Sequence, residues 1–235
     1  MVIPRTTIRA TAGLCRSLFP DDVAVAELAG EATDYVLMRR ELETLGPVGP
    51  ARRREFERGR GCAHAALGRL EPSLATHPVA IGADRQPVWP VGVRGSITHC
   101  QGYAVAAVAR RTDYLAVGVD VEPDQPLPDR VRRRIVTAGE WSGLSDLERA
   151  LPTGPAWDRL IFCAKEAIFK AWYPVEGTWL DFTDAVVTID PVQACFEAQI
   201  VGPRAAVARE VPDRLTGRIG FDAGFIVAAV VVGRK

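Results

Sequence analysis

Two carboxylates stand near the end of one predicted strand, in Gly118-Val-Asp-Val-Glu-Pro123. Alternate residues of a strand share a face, so Val119 and Val121 point into a core while Asp120 and Glu122 point the other way. Oxygen ligands without a neighbouring histidine favour Mg²⁺, which keeps part of its water shell and binds substrate phosphates. The pair is therefore either a solvated strand face or part of a site for a hard cation.

A second group of charges lies in the largely apolar segment Phe162–Trp172. Glu166 and Lys170 are four residues apart, and Lys165 precedes Glu166. Residues with this spacing are neighbours on a helix, and an ordinary salt bridge would explain the pair. Charges on a largely buried helix otherwise need partners or a chemical role. Together with the two strand carboxylates, Glu166 completes a candidate set of three metal ligands.

Lysine is rare in this chain, which makes Lys165 and Lys170 notable. Of the 29 basic residues only three are lysines, namely Lys165, Lys170 and Lys235. A lysine is a compact charge that can exchange a proton, whereas an arginine remains protonated. Either the two neighbouring lysines are a chance of composition, or they stand where a compact ammonium group suits the chemistry better than a guanidinium group.

Basic and hydroxyl side chains elsewhere could bind phosphate. Arg52 and Arg60 lie on a predicted helix, and Arg85 lies in the turn 82–87. The strand in Gly95-Ser-Ile-Thr-His-Cys100 ends in residues that could donate hydrogen bonds to a phosphate, namely Ser96, Thr98 and His99. Arginine suits bidentate phosphate recognition. A solvated helix and a structural histidine are the ordinary alternatives.

Hydrophobic periodicity places these residues on regular elements. A broken helix is predicted over Asp21–Leu45, a second helix over Ala51–Leu70, and a third, the clearest, over Trp157–Trp172. A mixed helical stretch is predicted over Arg130–Arg149. Strands are predicted over Ser96–His99, Tyr103–Ala109, Leu115–Val121, Ala185–Asp190, Cys195–Ile200, Leu215–Phe221 and Phe225–Val232.

A weak internal repeat suggests the architecture. The strand that follows Gly102 echoes the one that follows Gly224, and the segment from Cys62 echoes the one from Cys163. Each half would then be a long helix packed on a small antiparallel sheet. We predict an α+β pseudo-dimer of residues 1–117 and 118–235, with the active site in the cleft between the halves.

Length and charge limit the classes of function. The chain has 235 residues and no net charge, so no global field attracts nucleic acid or membrane. The N-terminus lacks the apolar core of a signal peptide, and the five cysteines show no metal or disulfide spacing. No P-loop, dinucleotide-binding or serine-hydrolase motif occurs. We expect a cytoplasmic monomer that binds neither nucleic acid nor membrane.

Three segments, in this order and spacing, resemble the signature blocks of 4′-phosphopantetheinyl transferases: Gly95–His99, Gly118–Pro123 and Phe162–Ala171. The resemblance runs from about Arg52 to Asp184. It is to the larger, pseudo-dimeric class that includes the activators of enterobactin and surfactin synthetases, and particularly to its actinobacterial members. It implies transfer of the phosphopantetheine arm of coenzyme A to a serine of an acyl or peptidyl carrier protein, with release of 3′,5′-ADP.

The resemblance also implies roles for single residues. Asp120, Glu122 and Glu166 resemble the Mg²⁺ ligands, and Glu166 also resembles the general base. Lys170 resembles the lysine at the pyrophosphate, and Lys165 a second phosphate contact. Arg52, Arg60, Arg85 and His99 resemble the group that holds the nucleotide end of coenzyme A.

Two other functions remain open at this point, a non-catalytic coenzyme A-binding protein and a Mg²⁺-dependent phosphohydrolase. If the chain is a transferase, carriers of this type are acidic beside their serine, so docking requires a local basic patch. Arg130–Arg134 is the candidate for that patch.

Overall fold

The computed structural model describes residues 13–234. Residues 1–12, where no signal peptide is expected, and Lys235 lie outside the described residues. The N-terminal half contains β1 (Ala24–Ala29), α1 (Arg39–Leu45), α2 (Pro50–Leu70), β2 (Ala80–Ile81), β3 (Pro87–Val88), β4 (Val93–Cys100) and β5 (Tyr103–Arg110). The C-terminal half contains β6 (Tyr114–Pro123), α3 (Asp129–Ile135), α4 (Trp141–Ala150), α5 (Trp157–Glu176), β7 (Ala185–Asp190), β8 (Cys195–Ile200), α6 (Pro203–Val207), β9 (Arg214–Asp222) and β10 (Phe225–Gly233). Short 3₁₀ turns lie at Arg16–Leu18, Pro72–Thr76 and Phe182–Asp184.

The two main sheets are antiparallel and pack face to face between two helices. One sheet has the strand order β1-β5-β4 and the other β6-β10-β9-β8-β7. Alternation along β5 explains the layers, because Ala104 and Ala106 join the core beside α2 while Val105 and Ala107 join the core between the sheets. Strand β10 alternates in the same way between α5 and the inter-sheet core. The predicted α+β class is confirmed.

The internal repeat is real in three dimensions. The order β1-β5-β4 corresponds to the first three strands of the larger sheet, β6-β10-β9. The two glycines that begin the repeated strands have nearly the same left-handed φ, 81° at Gly102 and 82° at Gly224. The Cys62 thiol lies 3.5 Å from the carbonyl of Ala104, and the Cys163 thiol lies 3.8 Å from that of Ile226. Helices α2 and α5 therefore contact equivalent positions, each two residues after the glycine that begins the repeated strand.

The chain passes from one sheet to the other between β5 and β6. Strand β6 begins at Tyr114, so the boundary predicted between residues 117 and 118 falls inside a strand of the second sheet. The C-terminal half also carries two extra strands, β7 and β8, beyond the repeated unit. None of the described helices is long and apolar enough to cross a membrane.

The prediction of a helix over Asp21–Leu45 is wrong for its first part. Ala24–Ala29 forms β1, which pairs with β5 along its whole length. Alanine, leucine and glutamate favour helices, but pairing in the sheet overrides that weak local preference. The predicted helical stretch over Arg130–Arg149 is divided into α3 and α4, and the short elements β2, β3 and α6 were not predicted.

Candidate active site

The two halves meet where β4, at the edge of the smaller sheet, lies beside β6, at the edge of the larger one. The Ser96 hydroxyl accepts a hydrogen bond from the backbone N–H of Val119 at 3.2 Å. Two residues further on, the Thr98 hydroxyl donates to Oδ1 of Asp120 at 2.8 Å. Both hydroxyl groups are buried, so they chiefly position β6, although Ser96 also lines a cavity beside Glu166 and Lys170.

Asp120 is the central carboxylate of the site. It is 3% exposed, and its Oδ1 accepts from Thr98 and, at 2.6 Å, from the ammonium group of Lys170. Its other oxygen, Oδ2, is buried and has no hydrogen-bond partner among residues 13–234. Buried carboxylate oxygens are normally satisfied, so this atom indicates a ligand.

Helix α5 brings Glu166 and Lys170 against β6. This approach depends on Gly118, because a Cβ there would lie 2.0 Å from the carbonyl oxygen of Ala167. Lys170 pairs with Asp120, so the ordinary Glu166–Lys170 salt bridge is not the pairing found among the described residues. The two sequence groups that suggested a cation site therefore do come together.

Glu122 is held by an arginine that sequence reasoning missed. Arg159 Nη1 lies 3.0 Å from a Glu122 carboxylate oxygen, and its Nε donates to the carbonyl of Gln125 at 3.0 Å. Arg159 precedes Glu166 by seven residues, which is two helical turns and the same face of α5. This seven-residue spacing could have indicated from the sequence that Arg159 lies on the same face of the helix as Glu166.

The acidic groups of the site are crowded, and their pKa values reflect it. Burial and the charge of Asp120 raise the pKa of Glu122 to about 7, although Arg159 opposes the shift. Burial and Asp120 likewise raise the pKa of Glu166 above its ordinary value. Burial alone would lower the pKa of Lys170, but Asp120 and Glu166 outweigh it and raise that pKa. The site therefore favours the approach of a cation.

The prediction that Lys165 contacts phosphate is wrong. Lys165 is 3% exposed and lies on a different face of α5 from Glu166. Its ammonium group donates to Glu140 at 2.9 Å and to two backbone carbonyls, those of Ile135 and Phe182. A lysine with three partners in the core stabilises the fold and does not reach the cleft.

This buried ion pair has a counterpart in the first half. Glu140 accepts from Lys165 and from the N–H groups of Thr137 and Val187. At the equivalent place, Glu41 accepts from the N–H groups of Met38 and Val79 and lies 2.7 Å from His64 Nε2. His64 and Lys165 each occupy the second position after the repeated cysteine. The repeat explains the position of Lys165 better than phosphate binding does.

The four basic residues predicted to hold the nucleotide end of coenzyme A do not lie together in the structure. Arg52 Nη1 lies 3.4 Å from His99 Nε2 beside the start of α2. Burial lowers the pKa of His99, although Glu55 opposes the shift. Arg85 is exposed on the β2–β3 turn with a φ of 69°. Arg60 is 6% exposed and donates to the carbonyl of Val79, so the structure does not place it where a ligand could reach it.

A cavity of about 340 Å³ opens beside Glu166 and Lys170. Arg85, Ser96, Glu166 and Lys170 line it, together with an aromatic cluster that sequence reasoning missed, namely Phe169, Tyr173 and Trp179. The rings of Phe169 and Trp179 are 4.6 Å apart, and Trp179 is 63% exposed. The cavity thus combines charged groups with an accessible apolar wall.

The donor set fits a hard divalent cation that shares its coordination with a substrate. Within residues 13–234, no three histidine, cysteine or acidic side chains are close enough to enclose a metal unaided. Mg²⁺ does not require such a cage, since it commonly takes one or two carboxylates, substrate phosphates and water. The unpartnered Oδ2 of Asp120 and the nearby carboxylates of Glu122 and Glu166 match this chemistry.

Comparison with known proteins agrees with this geometry. The model of the 4′-phosphopantetheinyl transferase N-terminal domain matches residues 43–109, and that of the 4′-phosphopantetheinyl transferase superfamily matches residues 116–213. The transferase Svp of Streptomyces mobaraensis is 43% identical over 183 residues, which cover 78% of this chain and 73% of Svp. The chain belongs to the 4′-phosphopantetheinyl transferase family.

Further relatives place this transferase in the larger class. The 4′-phosphopantetheinyl transferase PptT of Mycobacterium tuberculosis is 34% identical over 216 residues, covering 90% of this chain and 93% of PptT. Enterobactin synthase component D of Escherichia coli K12 is 38% identical over 94 residues, covering 39% and 42% of the two chains. The transferase acts on carrier proteins, and its family uses coenzyme A and generally a divalent metal.

Proposed function

We propose that this transferase uses Mg²⁺ held by Asp120, Glu122 and Glu166, takes coenzyme A as donor, and releases 3′,5′-ADP. The observation that supports the assignment is the buried Oδ2 of Asp120, which no described residue contacts by a hydrogen bond. Two further carboxylates and a cavity lie close to it. When bound, Mg²⁺ would neutralise pyrophosphate charge and increase the electrophilicity of phosphorus.

Glu166 is the proposed general base. It lies on the wall of the cavity, half-buried, on the helix that also presents Lys170. A serine hydroxyl is a weak nucleophile until a base removes its proton. In the proposed reaction the serine oxygen bonds to the β-phosphorus of coenzyme A, the bond to the bridging pyrophosphate oxygen breaks, and Glu166 receives the serine proton.

Lys170 is the proposed partner of the leaving group. Its ammonium group already lies between Asp120 and the cavity, and its side chain is 26% exposed. From there it donates to the phosphate oxygen on which charge develops. A positioned cation acts most strongly where water is excluded, as beside a buried carboxylate.

The two ends of coenzyme A would use different surfaces. The 3′-phosphate and adenine would lie near Arg52 and His99, and Arg85 would contribute from the β2–β3 turn, where it lines the cavity. The pantetheine arm, which is neutral and amphipathic, would follow the aromatic wall formed by Phe169 and Trp179. Its amide groups suit a wall that is partly apolar and partly open to water.

The test is to incubate the protein with coenzyme A, Mg²⁺ and an apo carrier protein, and to weigh the carrier by mass spectrometry. We expect the carrier to gain one phosphopantetheine group, with 3′,5′-ADP as the other product, only when a divalent metal is present. Unmodified carrier with intact coenzyme A would indicate a non-catalytic binding protein. Hydrolysed coenzyme A without carrier modification would indicate a phosphohydrolase.

The partner is an acyl or peptidyl carrier protein, and we propose that a single copy of the chain is sufficient. The residues from both halves that form the site belong to one chain, since β4 and β6 meet within it. The cytoplasmic location remains a prediction.

A further inference from the structure

Arg159 occupies one of the two carboxylate oxygens of Glu122. Its Nη1 donates to Oε2 of Glu122 at 3.0 Å, and the two side chains are only 18% and 20% exposed, so water does not easily replace this contact. The other oxygen, Oε1, receives no hydrogen bond from any residue between 13 and 234. Glu122 therefore has a single oxygen left for a ligand.

Asp120 shows the same arrangement two residues earlier on β6. Its Oδ1 accepts from Thr98 and from Lys170, and its Oδ2 has no partner among the described residues. Each of the two strand carboxylates thus has one oxygen held by protein donors and one oxygen free. In both cases a cation of α5 is among those donors, Lys170 for Asp120 and Arg159 for Glu122. The repetition indicates that the number of free oxygens is built into the site.

The guanidinium group of Arg159 is fixed in place by the loop that follows β6. Its Nε donates to the carbonyl of Gln125 at 3.0 Å, and its Nη2 lies 3.5 Å from that of Pro126. Asp158, beside it on α5, holds the same loop by accepting from the N–H of Leu127 at 3.1 Å. Because a guanidinium group is a rigid planar fork, it cannot turn away from Glu122 without breaking its contacts to this loop.

A positive charge at this place opposes the binding of a cation. At a fixed distance, Arg159 repels any divalent ion bound to Oε1 of Glu122, so charge alone would make the arginine unfavourable for metal binding. Its geometry has a different consequence. Mg²⁺ demands a compact octahedral shell, whereas the larger Ca²⁺ takes six to eight oxygens and often both oxygens of one carboxylate. A carboxylate with one oxygen occupied suits the first ion better than the second.

We propose that Arg159 is a positioning residue that leaves Glu122 only one oxygen for the metal, and that it thereby makes the site prefer Mg²⁺ to Ca²⁺. The inference rests on the proposed function, which assigns the metal to Asp120, Glu122 and Glu166. Arg159 contacts neither substrate nor metal in this role and acts only through Glu122. Partners of this kind commonly change the metal affinity of the ligand that they orient by about 10–100-fold.

The experiment titrates the enzyme, saturated with coenzyme A and without carrier, with MgCl₂ or with CaCl₂ in a calorimeter. No turnover occurs, so the two dissociation constants report binding alone. We expect the unmodified enzyme to bind Mg²⁺ more tightly than Ca²⁺. Equal affinity for the two ions would overturn the proposal, and this comparison requires no variant.

Arg159→Met locates the effect, because methionine keeps an unbranched stem but has no donor for Glu122. Loss of the positive charge changes the affinity for both divalent ions in the same direction, so the ratio of the two dissociation constants isolates the geometry. We expect the preference for Mg²⁺ to fall about tenfold. Arg159→Lys keeps a charge and a donor and should retain most of the preference. A preference lost equally in both variants would contradict the occupied oxygen as the cause.

Arg132→Met is the matched control. Arg132 also forms an ion pair near the start of α5, with Glu148, but it does not contact Glu122. It should leave the ratio of the two dissociation constants unchanged, although it loosens the packing of α3. An equal change in Arg132→Met and Arg159→Met would show a general structural effect and overturn the assignment to Arg159.

The result also distinguishes this inference from the proposed function. If neither ion binds to the complex with coenzyme A, the metal assignment fails together with the role of Arg159. If Mg²⁺ binds and supports transfer, but the ratio is the same in Arg159→Met as in the unmodified enzyme, the proposed function stands and this inference alone is refuted.

Discussion

The ammonium group of Lys170 lies 2.6 Å from Oδ1 of Asp120 and ties α5 to β6 at the centre of the cleft. Thr98, from the other half, donates to the same oxygen. One carboxylate oxygen is thus occupied by two donors from two different elements, which fixes the orientation of the side chain. The second oxygen remains available, and it is the atom to which we assign the metal.

Asp120→Asn should abolish metal binding and transfer without unfolding the protein. The amide keeps an acceptor for Thr98 and Lys170 but loses the charge on the proposed ligand. We expect transfer to fall at least about 100-fold, the scale on which single transition-state contacts act. Calorimetric titration with Mg²⁺ and coenzyme A measures metal binding independently of turnover. An Asp120→Asn enzyme that keeps more than a tenth of the wild-type rate would falsify this site.

Lys170→Arg tests whether a lysine is required or only a positive charge. An arginine has a wider head and cannot release a proton at accessible pH. We expect kcat to fall about 100-fold while the KM for coenzyme A changes much less, because the loss concerns the leaving group. Steady-state kinetics with a saturating carrier distinguish these effects. Unchanged kinetics would show that Lys170 acts only through its charge, as the ion-pair partner of Asp120.

Gly118→Ala should disrupt the approach of α5 to β6. The new Cβ would lie 2.0 Å from Ala167 O and 2.9 Å from Ala171 N, and backbone atoms cannot rotate away. We expect a loss of at least about 1–3 kcal/mol in the free energy of unfolding, together with lost activity as Glu166 shifts from Asp120. Urea denaturation measures the loss.

Gly143→Ala is the control for this prediction, since the Cβ it would add in α4 has no described atom within 4 Å apart from its chain neighbours and the backbone of its own helix. It should be neutral or stabilising by up to about 1 kcal/mol. Similar losses in both variants would show that the crowding at Gly118 is not the cause.

Glu41 makes stability depend on pH in a predictable direction. Burial would raise the pKa of Glu41, but hydrogen bonds from His64, Met38 and Val79 outweigh it and lower that pKa below its ordinary value. The folded state therefore binds a proton at Glu41 less readily than the unfolded state does. This stabilisation is complete above the unfolded pKa and is lost as pH falls through the folded one.

Glu41→Gln should remove that part of the acid dependence. We expect the variant to be about 1.5–3 kcal/mol less stable at pH 7, and the difference from wild type to shrink in acid. Denaturation curves at several pH values measure both. Glu43→Gln, on the same helix in an exposed pair with Arg39, should change neither. A difference that stays constant down to the acid limit would contradict the assignment to Glu41.

Strand alternation placed Asp120 and Glu122 on one face, helical spacing placed Glu166 and Lys170 on another, and the structure brings Lys170 to Asp120. The roles assigned to these residues stay predictions. The sequence was insufficient for Lys165, whose partner Glu140 lies 25 residues away along the chain. Spacing within α5 shows which face of the helix carries Lys165, but it does not show which residue of another element lies against that face. The same limit applies to β1, whose helix-favouring residues become a strand only because β5 lies beside them.

The predicted docking patch, Arg130–Arg134, contains one arginine that is engaged within the protein. Arg132 pairs with Glu148 and Asp158 and lies over the ring of Trp141, so it holds α3 in place. The neighbouring Arg130, Arg133 and Arg134 are exposed. The loop before α3 is fixed near Glu122, because Arg159 bonds both to Glu122 and to the carbonyl of Gln125.

Reversing Arg130 and Arg133 to Glu should therefore raise the KM for the carrier several-fold and leave the KM for coenzyme A nearly unchanged. Exposed charges mainly accelerate encounter with an acidic partner, and salt screens them over about 10 Å at 0.1 M. The increase should thus be largest at low salt and fade as salt is added. Reversing Arg39 and Arg149 to Glu, both exposed and neither on α3, is the matched control for net charge. If the carrier KM at low salt matches that of this control, the arginines of α3 do not form the docking surface, and exposed apolar residues such as Val131, 39% exposed, become the next surface to test.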